Sequence, residues 1–424
     1  MKANELKKLL LEGAAEKHAH LYSDTEAQKQ RFMNAIDAFT ELYGDDRDIY
    51  ILSVPGRSEI LGNHTDHNRG IVLAGAIDRD IIAVAAKNDS GTVRLKSEGY
   101  DEDIVSLSDI KNPDNFKNFS SAALIAGVAA GFLNASYEIG GWDAYSTSDV
   151  LKGSGISSSA AYEVMIGNIF NHLYNGGGVS NTEIAKISQF AENVYFGKPC
   201  GLMDQMACAV GGFVFIDFEN PHSHIVTPIR FSLADAGYAL SIVNTGGNHA
   251  DLNEDYASVP AEMKSVAALF GKEVLRGITE EEIIGRAREI RERVGDRALL
   301  RAIHFVRENP RVIAARDALI AGDISRFFAV VRESGRSSFE YLQNVYTTKN
   351  VSEQGLSLAL ALTDGFLNTG DGAFRVHGGG FAGTIQAYVK KDEVDSYAEY
   401  INGVLGDGAV MKLNIRPEGA CRLF

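Results

Sequence analysis

The spacing of apolar residues along the chain predicts a mixture of helices and strands. Apolar positions recur at helical intervals in the segments 4–44, 116–134 (as a helical hairpin), 160–173, 181–195 and 256–335. Short alternating or β-branched runs predict strands at 49–54, 72–86, 213–217, 238–244, 373–377 and 384–389. We expect Pro55 and Gly56 to end the first strand and Pro310 to open a helix.

Helices and strands are predicted on both sides of residue 225, which indicates a mixed architecture of the α+β or α/β class. With 424 residues the chain is long for one hydrophobic core and favours two domains. We therefore predict an N-terminal domain over 1–225, a C-terminal domain over 226–424 and a cleft between them.

The bulk composition favours an ordinary globular protein and argues against two classes of partner. Hydrophobic residues make up 45% of the chain and charged residues 23%. The formal net charge is −15, and no run of Lys and Arg offsets it. Binding to nucleic acid or to an anionic membrane is therefore not expected.

The sequence also favours a cytoplasmic protein. The longest nearly uninterrupted apolar stretch, 122–133, is too short to span a bilayer and predicts a buried helix. Residues 1–22 lack the apolar core of a signal peptide. Cys200, Cys208 and Cys421 are too few for a full disulfide set and have no zinc-ribbon spacing, so that we expect reduced thiols.

A glycine- and serine-rich loop before a predicted helix is the first candidate for chemistry. Glycines let the backbone approach a bulky anion, and amides at the start of a helix favour negative charge. Serine hydroxyls can bond phosphate oxygens or ligate Mg²⁺, so that the loop suits a triphosphate, although it is not a Walker loop. From composition alone, a flexible loop with serine caps is the alternative. The residues are Gly153, Ser154, Gly155, Ser157, Ser158 and Ser159.

A second glycine-rich loop, 378–383, formally matches the dinucleotide-binding fingerprint. That fingerprint requires a helix directly after the loop, whereas residues 384–389 alternate like a strand. An oxidoreductase is therefore rejected. A loop between two strands can still press its backbone against a ligand or another loop, and a plain tight hairpin is the alternative.

Polar side chains are dense in the segment 57–70, which follows the first predicted strand. Carboxylate and amide groups can each grip two hydroxyls, so that this segment suits a polyol. A solvated loop is the alternative. His64, Asp66 and His67 could also form a metal site, although no further ligand is in view.

Two acidic residues lie in largely apolar surroundings. Asp204 follows Leu202 and Met203, and Glu192 lies on the preceding helical segment. A buried acid needs a cation, a metal or a ligand as its partner. For Asp204 taken alone, an N-cap before Gln205 is the alternative.

Taken in order, these four segments resemble the galactokinase branch of the GHMP kinase superfamily. The family's three motifs are matched by 56–68, 153–161 and 378–383, and 200–205 resembles its catalytic-aspartate segment. The resemblance implies an α+β, two-domain GHMP kinase fold. Its N-terminal domain would be ribosomal-protein-S5-like and bind sugar and phosphate, and its C-terminal GHMP domain would be ferredoxin-like.

The resemblance implies a kinase that uses ATP and Mg²⁺ to phosphorylate the anomeric hydroxyl of a galactose-like monosaccharide, without an obligate protein partner. By this analogy Asp204 is the general base and Arg57 its partner. Ser159 and Glu192 align with the Mg²⁺ ligands.

The same analogy distributes the remaining site residues between the two substrates. The nucleotide would lie on the loop at 153–159, and Gly379 and Gly380 would close against it. The residues that align with sugar contacts are Asn63, His64, Asp66 and Tyr256.

The sugar loop departs from the family pattern. Asn63 stands where galactokinases usually have a Glu that faces the C6 hydroxyl, and His67 replaces a Tyr. Two anions 4 Å apart repel by about 4 kcal/mol at an effective dielectric constant of 20, so that losing this Glu would admit a C6 carboxylate. Asn63 could equally bond a neutral C6 hydroxyl. Milder departures are Leu151 for Pro, Ala382 for Gly, and Ser334-Gly335 for Ser-His.

Four functional readings follow from these residues. A galactokinase fits most of the pattern, and a galacturonokinase or a kinase of another C6-modified sugar fits the altered loop. A mevalonate- or homoserine-type kinase of the superfamily is opposed by His64-Thr65-Asp66. A catalytically dead sugar sensor is opposed by the intact Arg57, Asp204, Ser159 and Glu192.

Overall fold

The structure is a computed structural model that describes residues 1–22, 24–150, 156–198, 200–221, 223–247, 252–367 and 371–424. The α-helices of these residues are α1 (Ala3–Leu11), α2 (Thr25–Tyr43), α3 (Ser121–Asn134), α4 (Ser158–Tyr174), α5 (Asn181–Phe190), α6 (Met203–Val210), α7 (Asn253–Leu269), α8 (Glu280–Gly285), α9 (Ala287–Val294), α10 (Asp296–Ala321), α11 (Ile324–Ser337), α12 (Gly355–Phe366) and α13 (Val394–Leu405).

Strands and short helical turns complete the described elements. The strands are β1 (Tyr50–Leu61), β2 (Ile71–Lys87), β3 (Thr92–Ser97), β4 (Glu102–Ser106), β5 (Trp142–Ser148), β6 (Phe213–Asp217), β7 (Ile225–Ile229), β8 (Tyr238–Asn244), β9 (Ala373–His377), β10 (Thr384–Lys390), β11 (Val410–Leu413) and β12 (Cys421–Arg422). The 3-10 turns are Ala14–His18, Asp66–Asn68 and Pro113–Asn115, and the π turns are Ala191–Phe196 and Ser338–Leu342.

The larger sheet has the order β12-β1-β2-β5-β3-β4, and β6 and β7 extend it from β2. Successive side chains of a strand point to opposite faces, and here both faces are covered. Ile51 and Val84 pack in a cluster with α1 and α2. Leu52 and Ala83 pack in the main core with α3 to α6. This sheet is therefore buried between two helical layers.

The smaller sheet has the order β11-β8-β10-β9, and its neighbouring strands are antiparallel. Its two faces alternate in the same way. Ile385 and Val243 pack with α12 and α13, whereas Tyr388 contacts Phe327 and Phe328 of α11. The described residues therefore form a mixed α+β protein, as expected.

Most predicted elements are confirmed, including the strands at 213–217, 238–244 and 373–377. Three helical predictions are wrong in detail. The segment 4–44 holds two α-helices because Gly13 is left-handed (φ 92°). The region 116–134 is one helix, since Pro113 and the Asn112 cap form a 3-10 turn before it. Pro310 lies inside α10, where packing on both sides outweighs the lost hydrogen bond.

The first strand does not end at Pro55-Gly56, contrary to the prediction. β1 continues to Leu61 because the pairing with β2 shifts register between Pro55 and Arg57, and such a bulge accommodates a proline. A methyl group at Gly56 would lie 2.9 Å from the Ile156 carbonyl oxygen. Arg57 and the residues after it therefore belong to a strand that contacts Ile156, two residues before α4.

The chain returns to the larger sheet at its C-terminal end. β12 pairs with β1, and β7 pairs with β6, so that both lie in the larger sheet although they fall at or beyond the predicted boundary of 225/226. The buried Arg416 donates to Ser53 Oγ at 2.7 Å and to Asp80 Oδ2 at 3.1 Å. The division into two domains stays a prediction. None of the described helices combines the length and the apolarity that a membrane span requires.

Candidate functional site

The side chains of Arg57 and Asp204 form a bidentate ion pair. Arg57 Nε donates to Asp204 Oδ1 at 2.7 Å, and Nη2 donates to Oδ2 at 2.8 Å. Arg57 comes from β1, and Asp204 lies in the first turn of α6. Ser157 Oγ also donates to Asp204 Oδ2. Three segments that are far apart in sequence therefore meet at one carboxylate.

The charge of Asp204 is well stabilised. Burial alone would raise the pKa of this carboxyl, but the Arg57 charge and the hydrogen bonds from Arg57 and Ser157 outweigh it, so that its pKa lies below the usual value. The pKa of Arg57 is raised, because the attraction of Asp204 outweighs the effect of burial. Asp204 is therefore an ionised carboxylate at neutral pH, and its bonds with Arg57 fix its orientation.

The N-terminus of α4 lies beside this pair. Ser157 has a left-handed backbone (φ 55°), and Ser158 and Ser159 begin the helix. The free amides of a helix start favour an anion, so that the predicted phosphate position agrees with the helix geometry. Gly153, Ser154 and Gly155, with Leu151, lie outside the described residues.

The sugar loop is the turn 62–70 between β1 and β2, and internal bonds close it. Thr65 Oγ1 donates to the carbonyl oxygens of Gly62 at 2.8 Å and Ile71 at 2.9 Å. Asp66 begins a 3-10 turn and approaches the catalytic-aspartate segment, since a methyl group at Gly201 would lie 2.8 Å from Asp66 Oδ2. The structure thus brings Asp66 next to Gly201, three residues before Asp204.

Asn63 is fully buried, and protein partners hold its amide. Its Nδ2 donates to Glu59 Oε1 at 2.9 Å and to the Gly378 carbonyl at 2.6 Å. Its Oδ1 accepts from Asn344 Nδ2 at 2.6 Å. Asn63 is therefore a cross-link between the sugar loop and the second glycine loop, and its role as a direct sugar contact stays a prediction.

The two loop histidines are neutral at physiological pH. His64 donates from Nε2 to the Gly379 carbonyl at 2.8 Å, and burial lowers its pKa. Burial lowers the pKa of His67 to about 4, although Asp66 opposes this. Asn68 Nδ2 donates to His67 Nδ1 at 2.9 Å. Among the described residues, His64, Asp66 and His67 do not form a group that is arranged to hold a metal ion.

The second glycine loop packs against the sugar loop. Tyr256 donates its hydroxyl hydrogen to the Gly380 carbonyl at 2.8 Å, and its ring leaves no room for a side chain at Gly379. Gly380 has a φ of 79° and lies against Asn344. Burial raises the pKa of Tyr256 to about 12. Gly379 and Gly380 therefore contact the sugar loop, Tyr256 and Asn344. Their assignment to the nucleotide stays a prediction.

A buried polar network lies behind the sugar loop, and the sequence analysis did not predict it. Glu308 Oε1 accepts from the backbone N–H of Gly62 at 3.2 Å and also from Ser334 Oγ. Arg375 donates to Ser334 Oγ at 2.9 Å and to the Ile60 carbonyl at 3.3 Å. A methyl group at Gly335 would lie 2.9 Å from Arg375 Cβ, which explains the glycine beside Ser334.

His304 extends this network to the sugar loop backbone, since its Nε2 donates to the Asn63 carbonyl at 3.0 Å. Its four-residue spacing from Glu308 puts both on one face of α10, which was the available signal. His377 hydrogen-bonds to Ser58 Oγ at 3.1 Å and to Thr384 Oγ1 at 2.9 Å. These residues position the loop and are not in the predicted set.

Glu192 lies in a buried carboxylate cluster. Gln205 Nε2 donates to Glu192 Oε2 at 2.7 Å and to Glu163 Oε2 at 3.1 Å. Lys198 Nζ pairs with Glu192 Oε1 at 3.0 Å. Burial and the nearby Glu192 raise the pKa of Glu163, and its Oε1 is buried with no hydrogen-bond partner among the residues that the structure describes.

The donor types of this cluster fit Mg²⁺. Within the described part of the chain, no group of three or more His, Cys, Asp or Glu side chains is arranged for a metal ion. Mg²⁺ needs only one or two protein carboxylates together with substrate phosphates. The carboxylates of Glu192 and Glu163 are hard donors of that kind, and so is the hydroxyl of Ser159 at the start of α4.

Two family models match the chain. A galactokinase galactose-binding signature covers residues 37–87, which include β1, the sugar loop and β2. The GHMP kinase N-terminal domain covers residues 123–212, which run from α3 through α4 to α6. The Arg57–Asp204 pair therefore joins one residue from each matched region.

Known proteins with a similar sequence or fold agree with these matches. A galactokinase of Streptomyces coelicolor is 32% identical, over 86% of this chain and 90% of the relative, and one of Glaesserella parasuis is 32% identical, over 82% and 87%. The structure of Lactococcus lactis galactokinase complexed with galactose has a TM-score of 0.75 at 22% identity, over 91% of this chain and 98% of that one. A mevalonate kinase structure has a TM-score of 0.59 at 15% identity, over 87% and 99%. The chain has the GHMP kinase fold, belongs to the galactokinase family and is an ATP-dependent sugar kinase of the galactokinase type.

Proposed function

We propose that this kinase transfers the γ-phosphate of ATP to the anomeric hydroxyl of galactose and gives galactose 1-phosphate and ADP. The observation that carries the proposal is the Arg57–Asp204 ion pair, with the sugar loop on one side and the start of α4 on the other. The galactokinase relatives and the similar fold of a galactose complex support the choice of sugar. Use of ATP suits the cytoplasmic location expected from the sequence, which stays a prediction.

The reaction requires a base and a fixed positive charge. As the sugar oxygen forms its bond to the γ-phosphorus, its proton passes to Asp204, and the bond from phosphorus to the β–γ bridging oxygen breaks. Because the pKa of Asp204 is low, it accepts the proton only as attack proceeds, and such assistance contributes about 10²–10⁴ in rate. Arg57 cannot lose its own proton, so that it orients Asp204 and offsets negative charge in the transition state.

The nucleotide is proposed to bind at the start of α4. Ser157, Ser158 and Ser159, with the preceding glycines at 153 and 155, would surround the phosphates. Mg²⁺, when bound, would neutralise phosphate charge, held by Ser159 and Glu192. The Ser157 hydroxyl already bonds Asp204, so that it links the phosphate side of the site to the base.

The sugar is proposed to lie between the sugar loop and Asp204. Asp66 faces the catalytic-aspartate segment and offers a carboxylate for two hydroxyls. His64 and Tyr256 shape this side through the glycine loop that they bind. Asn63 is hydrogen-bonded to the same glycine loop, and its proposed role is to position the sugar-site residues.

The test is ATP-dependent ADP release with galactose or galacturonate in the presence of Mg²⁺. We expect turnover of galactose by the wild type, and a loss of about 10²-fold or more in kcat for Asp204→Asn, with ATP affinity retained in a titration. Asp45→Asn, on the exposed surface, is the matched control.

Each other outcome has a defined meaning. Near-normal kcat in Asp204→Asn would remove Asp204 as the base. ATP binding without turnover of any sugar would favour the sensor. A galacturonate preference would replace galactose as the substrate and keep the kinase.

A further inference from the structure

The carboxylate of Glu59 lies in the candidate site, and the mechanism above does not use it. Glu59 is on β1, two residues after Arg57, and only 9% of it is exposed. Its Oε1 accepts the hydrogen bond from Asn63 Nδ2 at 2.9 Å. Among the residues that the structure describes, this carboxylate forms no ion pair.

A nearly buried carboxylate without an ion pair is costly unless a donor satisfies it. Burial raises the pKa of Glu59, although the charge of Arg375 and the Asn63 hydrogen bond oppose this. An ionised carboxylate offers about four acceptor positions. Asn63 uses one of them, so that Glu59 keeps acceptor capacity for a further donor.

The surroundings of Glu59 belong to the sugar side of the site. Arg57 and Glu59 are two residues apart on a regularly paired part of β1, so that their side chains share one face of the strand. Asp66 adjoins Gly201 of the catalytic-aspartate segment. Glu59 is therefore on the face of β1 that presents Arg57 to Asp204, and it is hydrogen-bonded to Asn63 of the sugar loop.

Asn63 fixes where the Glu59 carboxylate points. The Asn63 amide is itself held at the Gly378 carbonyl by its nitrogen, and at Asn344 by its oxygen. These two bonds determine the orientation of the amide. The second N–H of Asn63 Nδ2 therefore points at Glu59. Asn63 stands where galactokinases usually have a Glu, so that this chain lacks a carboxylate at position 63. The carboxylate of Glu59 is hydrogen-bonded to Asn63 instead.

We propose that Glu59 is a specificity-determining sugar-binding residue, whose carboxylate accepts a hydrogen bond from a hydroxyl of a neutral hexose and disfavours an acidic sugar. The inference rests on the proposed galactokinase function. A buried acceptor discriminates against a substrate that leaves it unpaired, and two carboxylates in one site repel. This chain is therefore a kinase of neutral sugars in spite of Asn63.

The experiment compares galactose and galacturonate as substrates of the wild type, Glu59→Gln and the exposed control Glu41→Gln. The wild type should prefer galactose in kcat/KM. Glu59→Gln should raise KM for galactose by roughly tenfold, the loss expected for one hydrogen bond to a charged group. Its kcat should change little, and the ratio of galactose to galacturonate kcat/KM should fall by about the same factor.

The outcomes separate this inference from the proposed function. If the wild type phosphorylates neither sugar, the proposed function fails. If it phosphorylates galactose and Glu59→Gln keeps both KM and the sugar preference, the inference alone is overturned. Equal or better use of galacturonate by the wild type also contradicts a sugar-facing carboxylate at Glu59, and this outcome can be observed even if Glu59→Gln does not fold.

Discussion

His304 donates a hydrogen bond from Nε2 to the backbone carbonyl of Asn63 at 3.0 Å, across 241 residues of sequence. Because a carbonyl oxygen only accepts, this bond fixes the neutral tautomer, and Nδ1 then accepts from Ser337 Oγ at 2.9 Å. Helix α10 thereby holds the sugar loop at the residue that also binds Glu59 and the second glycine loop.

We expect His304→Ala to impair sugar binding more than nucleotide binding. The substitution leaves the Asn63 carbonyl and the Ser337 hydroxyl without their partner, which costs roughly 1–3 kcal/mol for each buried group left unsatisfied. KM for galactose should rise, and KM for ATP should change little. Steady-state kinetics and urea unfolding measure both effects. His20→Ala, at a surface pair with Glu418, is the control, and an equal rise in both KM values would contradict a role confined to the sugar loop.

The buried histidines should make the protein sensitive to mild acid. Burial lowers the pKa of His304 to about 4 and that of His377 to about 3, from an ordinary value of 6.5. Between pH 6.5 and the lowered values, the unfolded chain binds protons that the folded protein refuses, so that stability falls as the pH falls. From pH 6.5 to pH 5 each such histidine removes about 2 kcal/mol.

Urea unfolding at pH 7 and pH 5 tests this dependence. His377→Asn should lower stability at pH 7, since it breaks bonds to Ser58 and Thr384. Its further loss on going to pH 5 should be smaller than the wild-type loss by about 2 kcal/mol. An exposed control, His20→Asn, should show the wild-type loss, and the same loss in all three proteins would refute the assignment.

Gly201 is expected to control the placement of Asp66. A methyl group there would lie 2.8 Å from Asp66 Oδ2, so that Gly201→Ala should displace this carboxylate and raise KM for the sugar. The thermal unfolding midpoint should change little, because Gly201 is exposed. Gly403→Ala, where the added methyl meets nothing within 4 Å, is the matched control. Unchanged sugar kinetics in Gly201→Ala would exclude Asp66 from the sugar site.

The fold was predictable where local periodicity determines it. Short apolar runs predicted the strands at 213–217 and 238–244, and most residues of both strands are buried. The local pattern wrongly predicted that the strand ends at Pro55-Gly56. β1 continues through a bulge in its pairing with β2, and pairing with a distant strand cannot be recognised from neighbouring residues alone. The same kind of long-range pairing returns β12 to the larger sheet.

The site was predictable where residue types imply their own chemistry. Arg57 and Asp204 were paired through the family resemblance, and their side chains form an ion pair in the structure. Their catalytic roles stay predictions. Glu59 was not singled out because in the sequence it is one of many polar residues of the segment 57–70, which was predicted to follow the strand. Its significance appears only when Asn63 is seen to bind it.

The ion pair of Glu192 with Lys198 predicts opposite effects on the Mg²⁺ requirement. Lys198 Nζ lies 3.0 Å from Glu192 Oε1, so that a metal ion bound there competes with the ammonium group. Glu192→Gln should raise the Mg²⁺ concentration for half-maximal activity, because an amide is a weaker ligand. Lys198→Met should lower it, because the carboxylate is then released. Activity titrations with Mg²⁺ at saturating ATP measure both.

The surface pair Glu183 and Lys186 gives a matched control, since Glu183→Gln and Lys186→Met remove an ion pair of α5. Neither should change the Mg²⁺ requirement. If Glu192→Gln and Lys198→Met shift it in the same direction, the cause is a general loss of structure in the carboxylate cluster. If neither shifts it, Glu192 does not hold the metal. Only opposite shifts, with both controls unchanged, assign Glu192 as a Mg²⁺ ligand and Lys198 as its competitor.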